Sequence, residues 1–322
     1  MNPKKLVSRL LTVLCGSVLL YWTAAYAADY PTRQIELVVV TQAGGGTDLL
    51  ARTFADVAKK YLPQPIGVVN KPGGGGAVGY TEIAASRPDG YRIGVGNVEI
   101  SMLPHMGVAR FTAEDFTPIA MLNVEPGAIT VKEDAPWKTV EEFLSYAKDN
   151  PGKVRVGNSG TGGIWHLAAA ALEDKTGVKF NHIPYDGANP AVVALLGGHI
   201  EAVTVSPAEV VNHVRGGKLR ILGIMADQRS KGFDEVPTLK ENGIDVTIST
   251  WRGIVVPKGT PKNVVDVLID ATRKTANDQS FRDALVKLNM TWHYAEAPQY
   301  QEVINRDNAF FKALMGKLGI AK

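Results

Sequence analysis

Cysteine is nearly absent from this chain of 322 residues, in which Cys15 is the single one. Cys15 lies in an N-terminal segment that we expect to be removed on export, so the mature chain should contain neither a disulfide bond nor a catalytic thiolate. The preceding Leu14 is too large for a lipoprotein attachment site. Long apolar runs are also scarce, because no stretch after residues 10–20 has the length of a membrane span.

The N-terminal segment has the three parts of an export signal. Three basic residues come first, residues 10–20 form an apolar stretch, and residues 25–27 read Ala-Tyr-Ala, which is typical of a cleavage site. An uncleaved membrane anchor is the alternative, and the short stretch and the cleavage triplet disfavour it. We expect cleavage after Ala27 and a periplasmic protein.

An excess of charge of one sign is missing as well. The chain has 35 Lys and Arg residues against 32 Asp and Glu residues, and the signal contains three basic residues and no acidic one. The mature chain is therefore neutral, which disfavours nucleic-acid binding because that affinity depends on neutralising phosphates. Its length of about 295 residues is sufficient for two domains.

The motifs of common enzymes and metal sites are missing too. The six histidines show no metal-ligand spacing. Ser159 lacks the G-x-S-x-G pattern of a hydrolase nucleophile, and the glycines at 44–46 are followed by neither a P-loop lysine nor a dinucleotide-binding pattern. We therefore expect no catalytic residue, no metal and no cofactor.

A short apolar strand that leads into a glycine-rich loop and a helix start occurs twice. Residues 35–40 lead into residues 41–48, and residues 154–156 lead into residues 157–163. Such a loop leaves backbone N–H groups free at a helix N-terminus, where the helix dipole also favours negative charge. A plain tight turn is the alternative for the first loop. Together the two loops predict capture of an anion from two sides.

Each loop also carries polar side chains. In the first loop we expect the backbone amides to contact the ligand, while Asp48 caps the helix or holds the loop. In the second loop, Asn158, Ser159 and Thr161 stand among glycines, so several donors can converge on one carboxylate. His166 follows one turn later and is a candidate ligand contact. The alternative is that this histidine only packs beside its apolar neighbours.

Arg252 is the best candidate for a cationic ligand contact outside the loops. It follows Trp251 after a strand-like run, and its guanidinium could hold a carboxylate in a bidentate manner. We favour the alternative, in which Arg252 lies on the surface beside a tryptophan that packs at the junction between two lobes.

The order of elements predicts an α/β fold with mostly parallel sheets and helices on both faces. The chain should cross between two lobes near residues 124–131 and 247–254, and Asn189 should cap a helix that has Pro190 at its first position. Ligands bind at the carboxyl ends of such strands. The expected organisation is a signal peptide at 1–27, a first lobe at 28–126, a second lobe at 127–250, and a return to the first lobe with C-terminal helices at 251–322.

Nine short segments match one family pattern in collinear order, over nearly the whole mature chain. They include Ala-Gly-Gly-Gly-Thr-Asp-Leu-Leu-Ala-Arg at 43–52 and Gly-Asn-Ser-Gly-Thr-Gly-Gly at 157–163. The others are residues 30–31, 69–73, 88–91, 184–187, 195–200, 236–239 and 257–261. On these segments the chain resembles the solute-binding proteins of the tripartite tricarboxylate transporter family, the TctC or Bug type.

The resemblance implies a type II periplasmic-binding-protein fold, with two lobes that close on a small organic carboxylate. It implies delivery to a membrane permease of one large and one small subunit, no enzymatic activity and a monomer. Asp186 and the stretch around Ser206 match positions that line the second side of the site. The chain departs from the common pattern at residues 41–42 and 97–99, which makes these positions, Asn97 among them, candidates for specificity, so the resemblance does not identify the ligand. The expected ligand-binding residues are Gly45, Gly46, Thr47, Asp48, Asn97, Asn158, Ser159, Gly160, Thr161, His166, Asp186 and Ser206.

Two other functions stay open at this point. One is a carboxylate receptor that reports to a two-component sensor kinase, which sequence does not separate from a transport receptor. The other is a periplasmic hydrolase, for which the sequence offers no convergent acid–base pair.

Overall fold

The computed structural model describes residues 30–321, so the signal peptide and the cleavage after Ala27 lie outside the described residues. Strands and helices alternate over most of this range, as predicted. The strands are β1 (Ile35–Val39), β2 (Ile66–Asn70), β3 (Arg92–Asn97), β4 (Phe116–Pro126), β5 (Ala128–Lys132), β6 (Arg155–Asn158), β7 (Asn181–Pro184), β8 (Ala202–Val205), β9 (Leu219–Ile224), β10 (Ser249–Pro257) and β11 (Trp292–Glu296). The helices are α1 (Gly46–Ala58), α2 (Ala77–Ala84), α3 (Val140–Asp149), α4 (Ile164–Thr176), α5 (Ala188–Leu196), α6 (Pro207–Arg215), α7 (Lys262–Asn277), α8 (Gln279–Lys287) and α9 (Ala297–Lys317).

The strands form two sheets, with the orders β11-β4-β10-β3-β1-β2 and β7-β6-β8-β5-β9. In the first sheet β1 to β4 run in one direction and β10 and β11 in the other. In the second sheet only β5 opposes the rest. Most strands of each sheet therefore share a direction. Each sheet is nevertheless mixed, because the strand that follows a crossing between the sheets, β5 or β10, pairs antiparallel with its neighbours.

The chain crosses between the sheets at two places, near those predicted. Gly127 separates β4 from β5, and the chain returns between β9 and β10. The two crossings are hydrogen-bonded to each other, because the Gly127 N–H donates to Ile248 O over 2.8 Å and the Met225 N–H donates to Gly127 O over 2.8 Å. The predicted lobe boundaries stay a prediction.

Alternation along β1 buries side chains on both faces of the first sheet. Ile35, Leu37 and Val39 belong to a core shared with α1, α7 and α8, whereas Val38 belongs to a core shared with α2 and α9. The long helix α9 also reaches the second sheet's helices, since Lys317 Nζ lies 2.8 Å from a carboxylate oxygen of Asp174 in α4. Helices thus cover both faces, as predicted.

The cap predicted for α5 is wrong. The helix begins at Ala188 with Gly187 as its N-cap, so Asn189 and Pro190 lie inside its first turn. Gly187 has a φ of 105°, a backbone conformation that glycine adopts without a side-chain clash. Within residues 30–321, no helix combines the length and apolar character needed to cross a bilayer.

Candidate ligand site

The first glycine loop is held from within by Asp48. This carboxylate is 1% exposed, and Oδ2 accepts hydrogen bonds from the Gly44 N–H over 2.8 Å and from Arg52 over 3.0 Å. Asn70 Nδ2 donates to the other oxygen over 2.9 Å. Burial raises the pKa of Asp48, but these hydrogen bonds outweigh burial and hold it below its ordinary value. Asp48 therefore holds the loop. Gly45 is the N-cap of α1, and no side chain accepts a hydrogen bond from the first backbone N–H groups of this helix.

Arg252 reaches this helix start from β10, which corrects its interpretation as a surface arginine. Its side chain is half-buried, its Nε donates to Thr47 Oγ1 over 3.1 Å, and one terminal nitrogen donates to Asn123 Oδ1 over 2.6 Å. The other terminal nitrogen lies 3.6 Å from the point where a Cβ on Gly46 would stand. Trp251 is fully buried on the opposite side of β10 and donates to Asp307 over 2.7 Å.

Asn97 is the cross-strand neighbour of Arg252, and Asn123 is its neighbour on the other side. The three side chains form a polar row across β3, β10 and β4. Asn97 is 3% exposed, and its side-chain oxygen accepts a hydrogen bond from the Tyr80 hydroxyl, which in turn accepts from the Asn97 N–H over 3.0 Å. The row lies at the strand ends beside α1, where the fold predicts a ligand.

Three carboxyl groups lie within reach of the Arg252 charge, on Glu99, Glu125 and Glu209. Glu125 is buried and accepts hydrogen bonds from Asn123 Nδ2 over 2.9 Å and from the Thr291 N–H over 2.7 Å. Glu209 is exposed and belongs to α6 of the second sheet. Arg252 is therefore electrostatically coupled to both halves of the molecule, although it belongs to the first sheet.

The second glycine loop begins at Asn158, the last residue of β6. Asn158 is fully buried, and its Oδ1 accepts the Gly160 N–H over 3.1 Å. Its Nδ2 is buried and finds no acceptor within residues 30–321. An amide donor without a partner is costly in a protein interior, so this group is suited to a bound acceptor. Gly163 then caps α4 with no side chain on the first amides of that helix.

His166 holds this loop. Its Nδ1 accepts the Gly162 N–H over 3.1 Å, and its ring lies edge-on to His182 with centroids 4.8 Å apart. Burial, followed by the charge of His182, lowers the pKa of His166 to about 4. The neutral ring is required because a protonated Nδ1 could not accept the Gly162 N–H.

We expect His166 to make stability depend on pH. Its folded pKa lies below its unfolded value, so its contribution is complete above about pH 6.5 and is lost as pH falls towards 4. This amounts to about 2–3 kcal/mol of unfolding free energy. His166→Asn supplies an amide oxygen as the acceptor for Gly162 and removes the titration. Urea unfolding at pH 7 and pH 4.5 should show a smaller pH effect in this variant.

The exposed His199 serves as the matched control. His199→Asn should keep the full pH dependence of the unfolding free energy. An equal loss of stability between pH 7 and pH 4.5 in the wild type and in His166→Asn would contradict the assignment.

The remaining predicted residues differ in how they are placed. Ser206 is 2% exposed, and both its N–H and its hydroxyl donate to Glu209 Oε2, over 2.7 and 2.9 Å, so it caps α6. Ser159 is half-buried and Thr161 is exposed on the second loop. Asp186 is exposed before α5, and the structure places none of its atoms in a hydrogen bond with the other predicted residues.

The two halves also touch beside the second loop. Gly162 has a φ of 79°, and a Cβ there would stand 2.5 Å from Met106 Cε, so the methionine packs where a side chain would otherwise be. Met106 ends a short helical stretch that starts after β3. Sequence reasoning missed Met106 and Asn123, and it considered Arg252 as a ligand contact but favoured the surface alternative. For Ser206, the S-x-x-E pattern at 206–209 signals the capping box.

A cavity of about 610 Å³ lies elsewhere, at the opposite ends of β1 and β3. It is lined by Arg33, Glu36, Arg87, Tyr91 and Arg92 among others. Within residues 30–321, no group of three or more His, Cys, Asp or Glu residues is arranged to hold a metal ion.

Two mixed sheets, joined by paired crossings and carrying glycine loops at their strand ends, define the two-lobed α/β fold of periplasmic binding proteins. Residues 50–320 match the family described as tripartite tricarboxylate transporter family receptor, TctC. The chain belongs to this family of periplasmic solute-binding receptors.

Individual proteins agree with this assignment. A protein of the gbd 5' region of Cupriavidus necator is 38% identical over 299 residues, which cover 92% of this chain and 91% of that protein. A TctC solute-binding protein from Polaromonas is 55% identical, has a TM-score of 0.82, and is matched over 90% of this chain and 100% of its own. An R. palustris protein solved with adipate is 25% identical, with a TM-score of 0.78 and coverage of 91% and 99%.

Proposed function

We propose that this protein is a periplasmic receptor that captures a small organic carboxylate between two lobes and delivers it to a membrane permease with one large and one small subunit. The observation that carries the proposal is that α1 and α4 both begin at a glycine whose following amides no side chain caps. Two such helix starts, one from each sheet, suit an anion between them.

Within this proposal, some residues donate hydrogen bonds to the ligand, and others hold the loops that carry these donors. Thr47, Gly46 and Arg252 supply donors from the first lobe, and Asn158 and Thr161 supply them from the second lobe. Closure around the ligand would exclude water and strengthen each charged hydrogen bond.

The other predicted residues take different roles in the proposal. Asp48 and His166 hold the two glycine loops, and Asn97 stands beside Arg252. Gly45, Ser159 and Gly160 complete the loops, while Asp186 and Ser206 stay site candidates through the resemblance of the chain to its family. In the proposal, residues 28–126 and 251–322 form the first lobe and residues 127–250 form the second lobe. The protein acts as a monomer.

The comparisons support a carboxylate as the ligand class. The family description refers to tricarboxylates, and the R. palustris neighbour was solved with adipate. Neither identifies the acid that this chain binds, so the experiment must survey several classes.

A thermal-shift panel on the mature chain tests the binding proposal. The protein is first unfolded and refolded to remove any acid that co-purifies, and is then screened with tricarboxylates, C4 to C6 dicarboxylates, acidic amino acids and aromatic acids. An acid present at about a thousand times its Kd should add roughly 4 kcal/mol to the unfolding free energy. The absence of a shift with every acid would contradict the proposal.

Delivery needs a separate experiment. Proteoliposomes that contain the large and small membrane subunits should take up the identified acid only when the loaded receptor is added outside. Uptake that is equally fast without the receptor would contradict a transport role and leave the binding result intact.

A further inference from the structure

Glu99 carries a buried carboxylate oxygen that no donor of the described residues reaches. It follows Asn97 by two residues, and Asn97 is the cross-strand neighbour of Arg252. Its Oε2 is buried and accepts no hydrogen bond from residues 30–321. A buried carboxylate oxygen without a donor is costly, so a donor from a bound molecule would stabilise it.

Glu99 lies on a chain segment that runs from the polar row to the second glycine loop. The helical stretch Val98–Ser101 begins beside the polar row at Arg252, and the next stretch, Leu103–Met106, ends against Gly162 of the second loop. Glu99 therefore belongs to the segment that joins the surroundings of Arg252 to the second glycine loop.

The neighbouring acids are already engaged. Glu125 accepts hydrogen bonds from Asn123 and Thr291, and Glu209 accepts them from Ser206. Glu99 is thus the carboxyl group near Arg252 that has a buried oxygen without a donor among the described residues.

The balance of charge around Arg252 limits what can bind there. One guanidinium acts on three carboxyl groups, those of Glu99, Glu125 and Glu209. Burial raises the pKa of Glu99 and of Glu125, and the Arg252 charge opposes this rise. A second ligand carboxylate at Glu99 would bring another acceptor to an oxygen that lacks a donor, whereas an N–H group there would satisfy it.

We propose that the ligand is a monocarboxylate whose far end carries an N–H donor, either a carboxamide or an ammonium group, and that Glu99 Oε2 accepts the hydrogen bond from it. This inference rests on the proposed function, because the single carboxylate is the group that binds at the helix starts and Arg252. Glu99 then determines specificity by rejecting the dicarboxylate of the same length.

Calorimetry at pH 7 with two matched pairs tests the inference. The probes are adipate with its monoamide and succinate with its monoamide, which differ only in one carboxylate against one carboxamide. We expect the monoamide to bind at least tenfold more tightly than the diacid in at least one pair. In Glu99→Gln, this preference should fall at least tenfold, because the new amide N–H can donate to the second carboxylate.

Glu114→Gln is the matched control, since it removes an exposed carboxyl group on the short helical stretch before β4 that is not among the three near Arg252. Its ratio of monoamide to diacid affinity should stay that of the wild type. If Glu99→Gln does not fold, Glu99→Asp replaces it and should weaken monoamide binding at least tenfold by withdrawing the oxygen.

Tighter binding of both diacids, or an unchanged ratio in the Glu99 variant, would overturn the inference and leave the receptor function standing. Binding of neither pair, while an acid of the panel without an N–H donor binds, would overturn it as well. Failure of every acid in the panel would instead count against the proposed function itself.

Discussion

Replacement of Arg252 by alanine is expected to weaken binding of the cognate acid by about 100-fold or more. The guanidinium donates to Thr47 and Asn123 and leaves a terminal nitrogen beside Gly46, at the start of α1. Its loss removes the cation of the polar row and leaves the buried carboxyls of Glu99 and Glu125 without a counter-charge. Hydrogen bonds to charged groups contribute about 1.5–3 kcal/mol each, and a factor of 100 corresponds to about 2.7 kcal/mol.

Two further variants make this prediction specific. Arg252→Lys keeps the charge but lacks the planar fork, so it should lose roughly tenfold in affinity. Arg229→Ala removes an exposed arginine that pairs with Glu241 and should bind like the wild type. Calorimetry with the same acid measures all three. Wild-type affinity in Arg252→Ala would place the ligand elsewhere.

Gly253→Ala is expected to destabilise the whole protein by about 3 kcal/mol or more. A Cβ at Gly253 would stand 2.4 Å from the backbone oxygen of Ala120 and 2.6 Å from the ring of Tyr300. The ring is fully buried and the oxygen belongs to β4, so neither can move aside cheaply. Overpacking of a dense core costs about 1–3 kcal/mol even where side chains can adjust. Urea unfolding should show the loss as a lower midpoint.

Gly316→Ala serves as the control for this glycine. Gly316 lies in α9 with nothing within 4 Å of the new Cβ, and alanine is favoured over glycine in a helix by about 0.8–1 kcal/mol. This variant should be neutral or slightly more stable than the wild type. A Gly253→Ala protein that unfolds at the wild-type midpoint would show that β4 and β10 separate more easily than their packing indicates.

The sequence predicts well those parts of the fold that are determined by residues close together in the chain. The glycine loops at 41–48 and 157–163 lie where the strand, loop and helix pattern places them, because strand ends, glycines and helix starts are encoded within a few residues. The cap of α5 shows the limit even of local signals. Asn189 and Gly187 are both acceptable cap residues, and the backbone at Gly187 decides between them.

Arg252 could not be interpreted from its surroundings in the chain. Its role follows from the register of β10 against β3 and β4, which brings Asn97 and Asn123 to either side of it. Long-range register is set by packing of the complete sheet. The contact of Met106 with Gly162 likewise exists only because the chain folds back across the two sheets.

The first sheet is assembled from strands at both ends of the chain. The part of the proposed site that belongs to this sheet is therefore complete only after β10 has been synthesised. Pairing β3 with β10 closes a loop of about 150 residues that contains the entire second sheet. A shortened chain that stops after β9 keeps Asn158 and the second glycine loop but lacks Arg252 and the central strand of the first sheet. Under the proposed function, binding would therefore require a chain that extends through β10.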